Sequence, residues 1–115
     1  MLAIIGGSGL YALEGLQLEQ EHQVFTPFGE PSAPILQGRF ADQPVLFLAR
    51  HGSQHAYLPS EVNYRANIFA LKKLGARRVA GISAAGSLRA EIRPGELALA
   101  AQYFDHTRGK RAYSF

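Results

Sequence analysis

The sequence predicts an α/β protein with one ligand-bearing sheet edge. Apolar runs at Ala3 to Ile5, Val45 to Ala49 and Val79 to Ile82 have the length of buried strands rather than of helices. Each run ends in a glycine-containing polar turn: Gly6 to Gly9, Arg50 to Gly52, and Ser83 to Gly86. One amphipathic helical stretch lies between the second run and the third. Parallel neighbouring strands would bring the three turns into one crevice, where open α/β sheets hold their ligands.

Taken in order, Ala3, Ile4 and Ile5 run into Gly6, Gly7, Ser8, Gly9 and Leu10, with three glycines in four positions. Such a backbone can turn consecutive N–H groups towards an anion, and Ser8 adds a hydroxyl. Gly7, Gly9 and Ala12 also satisfy a G-x-G-x-x-A dinucleotide pattern. That match is weak, because Gly15 interrupts the helix such a unit needs and Leu16 to Phe28 holds no convincing buried strand. Residues Leu16 to Gln23 alternate loosely, carry glutamates and read as an exposed strand or ribbon; Thr26 to Ser32 is a loop broken by two prolines and a glycine. Ile35 to Phe40 and Val45 to Ala49 flank Ala41, Asp42, Gln43 and Pro44 as a hairpin.

Ser60 is the expected N-cap of the helix, with Glu61 in its first turn. Val62, Ala66, Phe69, Ala70 and Leu74 fall on its apolar face, which Ile68 and Leu71 widen, and Tyr64 and Asn67 read as polar surface. Lys72 and Lys73 close the last turn and Gly75 ends it. Val79 to Ser83 is the next strand, Glu91 to Gly95 a polar turn, and Leu97 to Phe104 a plausible further strand.

Composition limits what this fold can do. The 115 residues form one domain, and 47% hydrophobic with 18% charged residues is ordinary globular content. The net charge of +3 is spread out, with Arg77 and Arg78 and the Arg108, Lys110, Arg111 group as its clusters, which is too thin for a nucleic-acid surface. There is no cysteine, hence no disulfide, thiolate metal site or cysteine nucleophile. Met1 to Ile5 lacks the basic region and the apolar length of a signal peptide or membrane span, so a cytoplasmic protein without a membrane partner is expected.

The three turns supply hydroxyls from Ser8 and Ser83, the guanidinium of Arg50, a donor from His51 and exposed backbone N–H groups. This is a phosphate-binding inventory, although Arg50 and His51 read equally well as a structural salt bridge to a nearby carboxylate. It contains no carboxylate pair, no metal-ligand cluster and no serine beside a base, so glycosidase, metalloenzyme and hydrolase readings have little to rest on. His55 and His106 read as loop or surface residues.

The strings AIIGGSGL, TPFGEPSAP, LARHGSQHAYLPSEVNYRANIFALKKLGA, ISAAGSLRAEIRPGEL and FDHTRGKRAYSF resemble, in order and spacing, the N-terminal half of the 5′-methylthioadenosine phosphorylases and their methylthioinosine-specific relatives. That family belongs to the purine nucleoside phosphorylase superfamily. The resemblance runs across essentially the whole chain and implies a mixed, partly barrel-like sheet flanked by helices, incomplete at its C-terminal side. Residues 1–115 would be the N-terminal part of a single nucleoside phosphorylase domain, with a hairpin strand that need not run parallel.

By matching position the resemblance implies a phosphate site made of Ser8, Arg50, His51, Ser83 and Ala84, with serine at positions 8 and 83 where many members have threonine. It implies phosphorolysis of a 5′-methylthiopurine nucleoside to free purine and 5-methylthioribose 1-phosphate. Inorganic phosphate is then a co-substrate, no metal or other cofactor is needed, and the intact protein is a homotrimer. FDHTRGKRAYSF leans towards the methylthioinosine branch. The residues that recognise the purine and aid its departure would lie beyond Phe115, so the chain alone is expected to be inactive, either as a phosphate-binding remnant or as a fragment needing a separate C-terminal half.

Overall fold

The computed structural model describes residues 1–52, 54 and 56–106. Its sheet has five strands in the order β2-β3-β4-β1-β5, with β1 at Leu2–Gly6, β2 at Gln17–His22, β3 at Ile35–Phe40, β4 at Gln43–Ala49 and β5 at Arg78–Ile82. The helix α1, Tyr64–Lys73, connects β4 to β5. β1 is parallel to both β4 and β5, while β3 is antiparallel to β2 and to β4. The sheet is thus mixed, as expected, and the hairpin strand that carries Arg50 does run parallel to β1. Among the described residues the sheet is open at β2 and β5, and one α-helix flanks it. None of the described helical residues forms a segment long and apolar enough to cross a membrane.

The continuous apolar run of β4 follows from burial on both faces. Val45 to Ala49 are all buried. Leu46 and Leu48 pack with Ala3, Ile35, Ala70, Leu71 and Ala76 under α1, while Phe47 and Ala49 pack with Ile4 beneath Leu10, Leu13, Leu16 and Leu36 on the other face. The alternation of Ala3 and Ile4 between these clusters is the period of two expected of a strand. No helix follows the first glycine turn; residues 10–16 cross the sheet face as irregular chain, which removes the dinucleotide unit.

The hairpin turn is tighter than the sequence suggests. Ala41 and Asp42 alone make it, at φ of 46° and 60°, and Gln43 and Pro44 already pair with Phe40 and Arg39. Two successive positive φ values match the twist of the flanking strands, as in a type I′ turn, though neither residue is glycine.

The start of the helix also differs from expectation. Its N-cap is Asn63, not Ser60: the Asn63 side chain accepts from the Ala66 N–H and donates to the Phe28 carbonyl at 2.7 Å. Glu61 lies outside the helix and accepts from the Leu58 N–H at 2.8 Å. A cap that also ties down the 26–32 loop does more than an isolated serine can. At the other end Gly75, at φ 88°, donates to the Lys72 carbonyl and Ala76 to that of Leu71, a Schellman motif.

Asn67 is not polar surface. It is 2% exposed, accepting from the Ser32 N–H at 2.8 Å and donating to the Ser32 hydroxyl at 2.9 Å, while Ile68 faces outward. The anticipated strand at Leu97 to Phe104 does not form. Leu97 and Leu99 are fully exposed, and no neighbouring strand among the described residues offers the backbone partners that define one. His55 and the Arg108, Lys110, Arg111 group lie outside the described residues.

Truncating Asn67 to alanine strands the Ser32 N–H in the interior. It is expected to cost about 2 to 3 kcal/mol in a urea unfolding titration. Ser32→Ala keeps the backbone bond and is expected to cost less.

Candidate functional site

The parallel register pairs Gly6 with Ala49 on one side and with Ile82 on the other, so the next residue of each strand emerges at the same edge. Those residues are Gly7, Arg50 and Ser83. Two backbone bonds extend the ladders past the strands: the Gly7 N–H donates to the Ile82 carbonyl at 2.8 Å and the Arg50 N–H to the Gly6 carbonyl at 3.0 Å. The convergence expected of the three turns is therefore present.

The glycines permit it. A Cβ on Gly7 would lie 2.7 Å from the Ile82 carbonyl oxygen and 2.8 Å from Arg50 Nη2. Only a residue without a side chain lets the β1 turn pass between β5 and the guanidinium. The turn closes through the Leu10 N–H to the Gly7 carbonyl at 3.1 Å, with Gly9 at φ 86°. Ser8 and Gly9 stand exposed on its rim.

Arg50 is half-buried and held at two atoms. Its Nε donates to His51 Nε2 at 3.1 Å and its Nη1 donates to Ser83 Oγ at 3.1 Å. His51 is 2% exposed, and its Nδ1 is 3.0 Å from the Tyr57 carbonyl oxygen. Tyr57 closes the loop by donating its N–H to the His51 carbonyl. Among the described residues the one ion pair is Arg89 with Glu91, so the alternative reading of Arg50 as part of a structural salt bridge is not met. The Ser83 hydroxyl accepts from Arg50, which leaves its own proton to donate outward.

Of the residues singled out from sequence, Ser8, Arg50, His51 and Ser83 belong to this edge, and Ala84 follows Ser83 in exposed chain. His106 is exposed, with its ring 5.8 Å from that of Phe104. Sequence reasoning did not single out Tyr57, and no signal marked it, because it contributes a backbone carbonyl. The Ile82 carbonyl is hidden for the same reason. Clefts of about 350 Å³ beside Tyr11 and Phe47 and about 250 Å³ beside Phe25 and Tyr57 are lined by neither Arg50 nor Ser8 nor Ser83. Among the described residues no group of three or more histidines and carboxylates is placed to hold a metal ion.

A mixed sheet whose parallel strands end in a donor-rich edge matches a known class. The family model of the phosphorylase superfamily covers residues 1–115, and the chain belongs to that superfamily. Its relatives are particular. The S-methyl-5′-thioadenosine phosphorylase of Geobacter sulfurreducens is 48% identical over 115 residues, all of this chain and 40% of that protein. The protein of the same name from Koribacter versatilis is 50% identical over 93% of this chain and 37% of its own. The structure of methylthioadenosine phosphorylase from Schistosoma mansoni in complex with adenine superposes with a TM-score of 0.77 at 43% identity, over 83% of this chain and 34% of that one. The chain thus spans about two fifths of the length of the curated relatives it matches.

Gly7→Ala tests the close approach at the edge. Overpacking against the Ile82 carbonyl and Arg50 is expected to cost about 2 kcal/mol. Gly81→Ala, whose added methyl meets open space, is expected to leave the urea midpoint unchanged or slightly raised.

Proposed function

We propose that this chain forms the phosphate-holding side of a phosphorylase site that acts on a 5′-methylthiopurine nucleoside. The observation that carries this reading is Arg50: a guanidinium at a strand end, clamped by His51 and Ser83, beside an exposed glycine turn and without a carboxylate partner among the described residues. A fixed cation with convergent hydroxyl and amide donors is what a tetrahedral oxyanion needs. The names of the relatives supply the nucleoside.

In the reaction a phosphate oxygen forms a bond to C1′ as the C1′–N9 bond breaks. The electron pair of that bond leaves with the purine, which takes up a proton. The transition state places a cationic ribose between the anionic phosphate and the departing base, so holding phosphate beneath C1′ lowers the barrier both by positioning and by electrostatics. Arg50, Ser83, Ser8 and the N–H groups following Gly7 and Ser83, that of Ala84 included, perform this task, with His51 helping to position the phosphate. Inorganic phosphate is the co-substrate, and neither a metal nor another cofactor takes part.

The base is hypoxanthine or adenine, and the reaction serves purine and methylthio salvage in the cytoplasm. The working protein is a homotrimer, with no nucleic acid or membrane partner. Purine recognition and leaving-group protonation fall to the part of the relatives' length that this chain does not span. By itself the chain binds phosphate weakly and turns nothing over.

A chimera tests this directly. The chain is substituted for the matching part of the Geobacter sulfurreducens relative and supplied with 5′-methylthioadenosine or 5′-methylthioinosine. Release of free purine is expected only when inorganic phosphate is present, and Arg50→Ala is expected to raise the phosphate concentration for half-maximal rate by at least about tenfold. Purine release that ignores phosphate, or a phosphate requirement indifferent to Arg50, overturns the proposal.

A further inference from the structure

We infer that the outer edge and bare faces of β5 are the surface on which the nucleoside-bearing part of a phosphorylase domain seats; this rests on the reading of the strand-end edge as the phosphate side of the site. The sheet has two open edges among the described residues, and they are built differently. β2 is polar, with Gln17, Glu19, Gln20 and Glu21 around Leu18, and its register slips between Leu18 and Gln20. Charge and a bulge are what keep an edge strand from pairing further. β5 has neither: Val79 to Ile82 carry no charge and pair in unbroken register with β1.

The direction of the backbone decides what β5 offers. The Ile82 carbonyl accepts from the Gly7 N–H, so it points at β1, and along a strand the backbone groups of successive residues alternate sides. Val79 and Gly81 therefore turn their N–H and carbonyl groups outward, where no described strand pairs with them. A Cβ on Gly81 meets nothing within 4 Å. Val79 and Ile82, three residues apart and so on opposite faces, are 48% and 44% exposed. Both faces are as bare as the edge. The exposure continues through every residue from 81 to 106, with Leu88, Leu97 and Leu99 fully open. An apolar surface of this extent is one that another polypeptide covers.

The length of the relatives and the geometry of the reaction identify the occupant. This chain covers 40% of the Geobacter sulfurreducens protein, and on the phosphorylase reading the groups that hold the nucleoside belong to the remainder. C1′ reacts only when it comes within about 3.5 Å of a phosphate oxygen, so that remainder must reach the strand-end edge. On the β4 side of this edge the chain is already packed on both faces; on the β5 side, at Ser83, it is bare. β2 lies at the opposite end of the sheet, three strands away from β1 and β5 by way of β3 and β4. The nucleoside-bearing part therefore enters at β5, adding a strand to the outward groups of Val79 and Gly81 and covering the apolar faces beside them. A second copy of this chain in the same place would bring only another phosphate edge.

Amide hydrogen exchange, compared between the 115-residue chain alone and the chimera with the Geobacter sulfurreducens relative, tests this without phosphate or turnover. The Val79 and Gly81 amides are expected to exchange freely in the chain alone and at least about a hundredfold more slowly in the chimera, while the amides of β2 change by less than about threefold. Val79→Lys is expected to lower the urea midpoint of the chimera and to leave that of the chain alone unchanged, and Leu18→Lys, on β2, to leave both unchanged. Val79 and Gly81 amides that exchange alike in the two proteins, new protection at β2 instead, or a chimera indifferent to Val79→Lys overturns the inference. So does protection in the chain alone that grows with its concentration, which assigns β5 to a second copy. The phosphate reading fails separately: it falls if Arg50→Ala leaves the phosphate requirement of the chimera unchanged, whereas the exchange result is read with no phosphate present.

Discussion

The site depends on β1 being hydrogen-bonded in the same direction to β4 on one side and to β5 on the other. Parallel pairing puts three C-terminal strand ends on one line, and residues that are 43 and 33 positions apart in sequence become neighbours through Gly7, Arg50 and Ser83. An antiparallel β4 would have sent Arg50 to the opposite edge. The antiparallel hairpin of β3 and β4 makes the correct direction possible, because one short turn reverses the chain and returns β4 to run alongside β1.

From that arrangement the rest of the edge follows as a matter of clearance and hydrogen-bond supply. At the first position of the β1 turn, an added Cβ would fall 2.7 Å from the Ile82 carbonyl oxygen, so a side chain there would collide with β5. Gly7 removes that collision, and the guanidinium of Arg50 occupies the space. The clamp on Arg50 is then built from groups already in place: a buried imidazole, a serine at the end of β5, and a carbonyl of the loop that follows Gly52. On the far side of the helix face, Asn63 and Asn67 pin the 26–32 loop by its backbone, with Phe28 edge-on to Phe69 at 5.7 Å and Arg65 over the Phe28 ring. Loop and helix are therefore tied to each other by backbone-directed hydrogen bonds and ring contacts.

Burial is uneven across the sheet. β4 is covered on both faces, whereas Val79 and Ile82 of β5 are each more than 40% exposed and Leu88, Leu97 and Leu99 touch almost nothing. Apolar burial stabilises by roughly 25 cal/mol per Å², so the β4 side of the sheet carries most of the stability of the described residues. β5 is held chiefly by its ladder to β1 and by Arg50 reaching Ser83. The anion edge spans this boundary between well-packed and sparsely packed strands.

Local patterns accounted for much of this molecule. The apolar runs, the glycine turns, the hairpin, the helix body with its Lys72, Lys73 and Gly75 ending, and the phosphate-like inventory at the strand ends are all legible in residue types and spacing, because hydrophobic period and glycine conformational freedom act within a few residues. Tertiary structure alone decided that Asn63 caps the helix in place of Ser60, that Asn67 is buried rather than exposed, and that Leu97 to Phe104 is no strand. It also decided that Arg50 pairs with an imidazole and a hydroxyl instead of a carboxylate. The deciding partners are backbone groups or side chains distant in sequence: the Phe28 carbonyl for Asn63, the Ser32 N–H for Asn67, the Ser83 hydroxyl for Arg50 and the Tyr57 carbonyl for His51. Every residue carries the same backbone donor and acceptor, so residue types cannot say which of them a given side chain will meet; only the folded chain does.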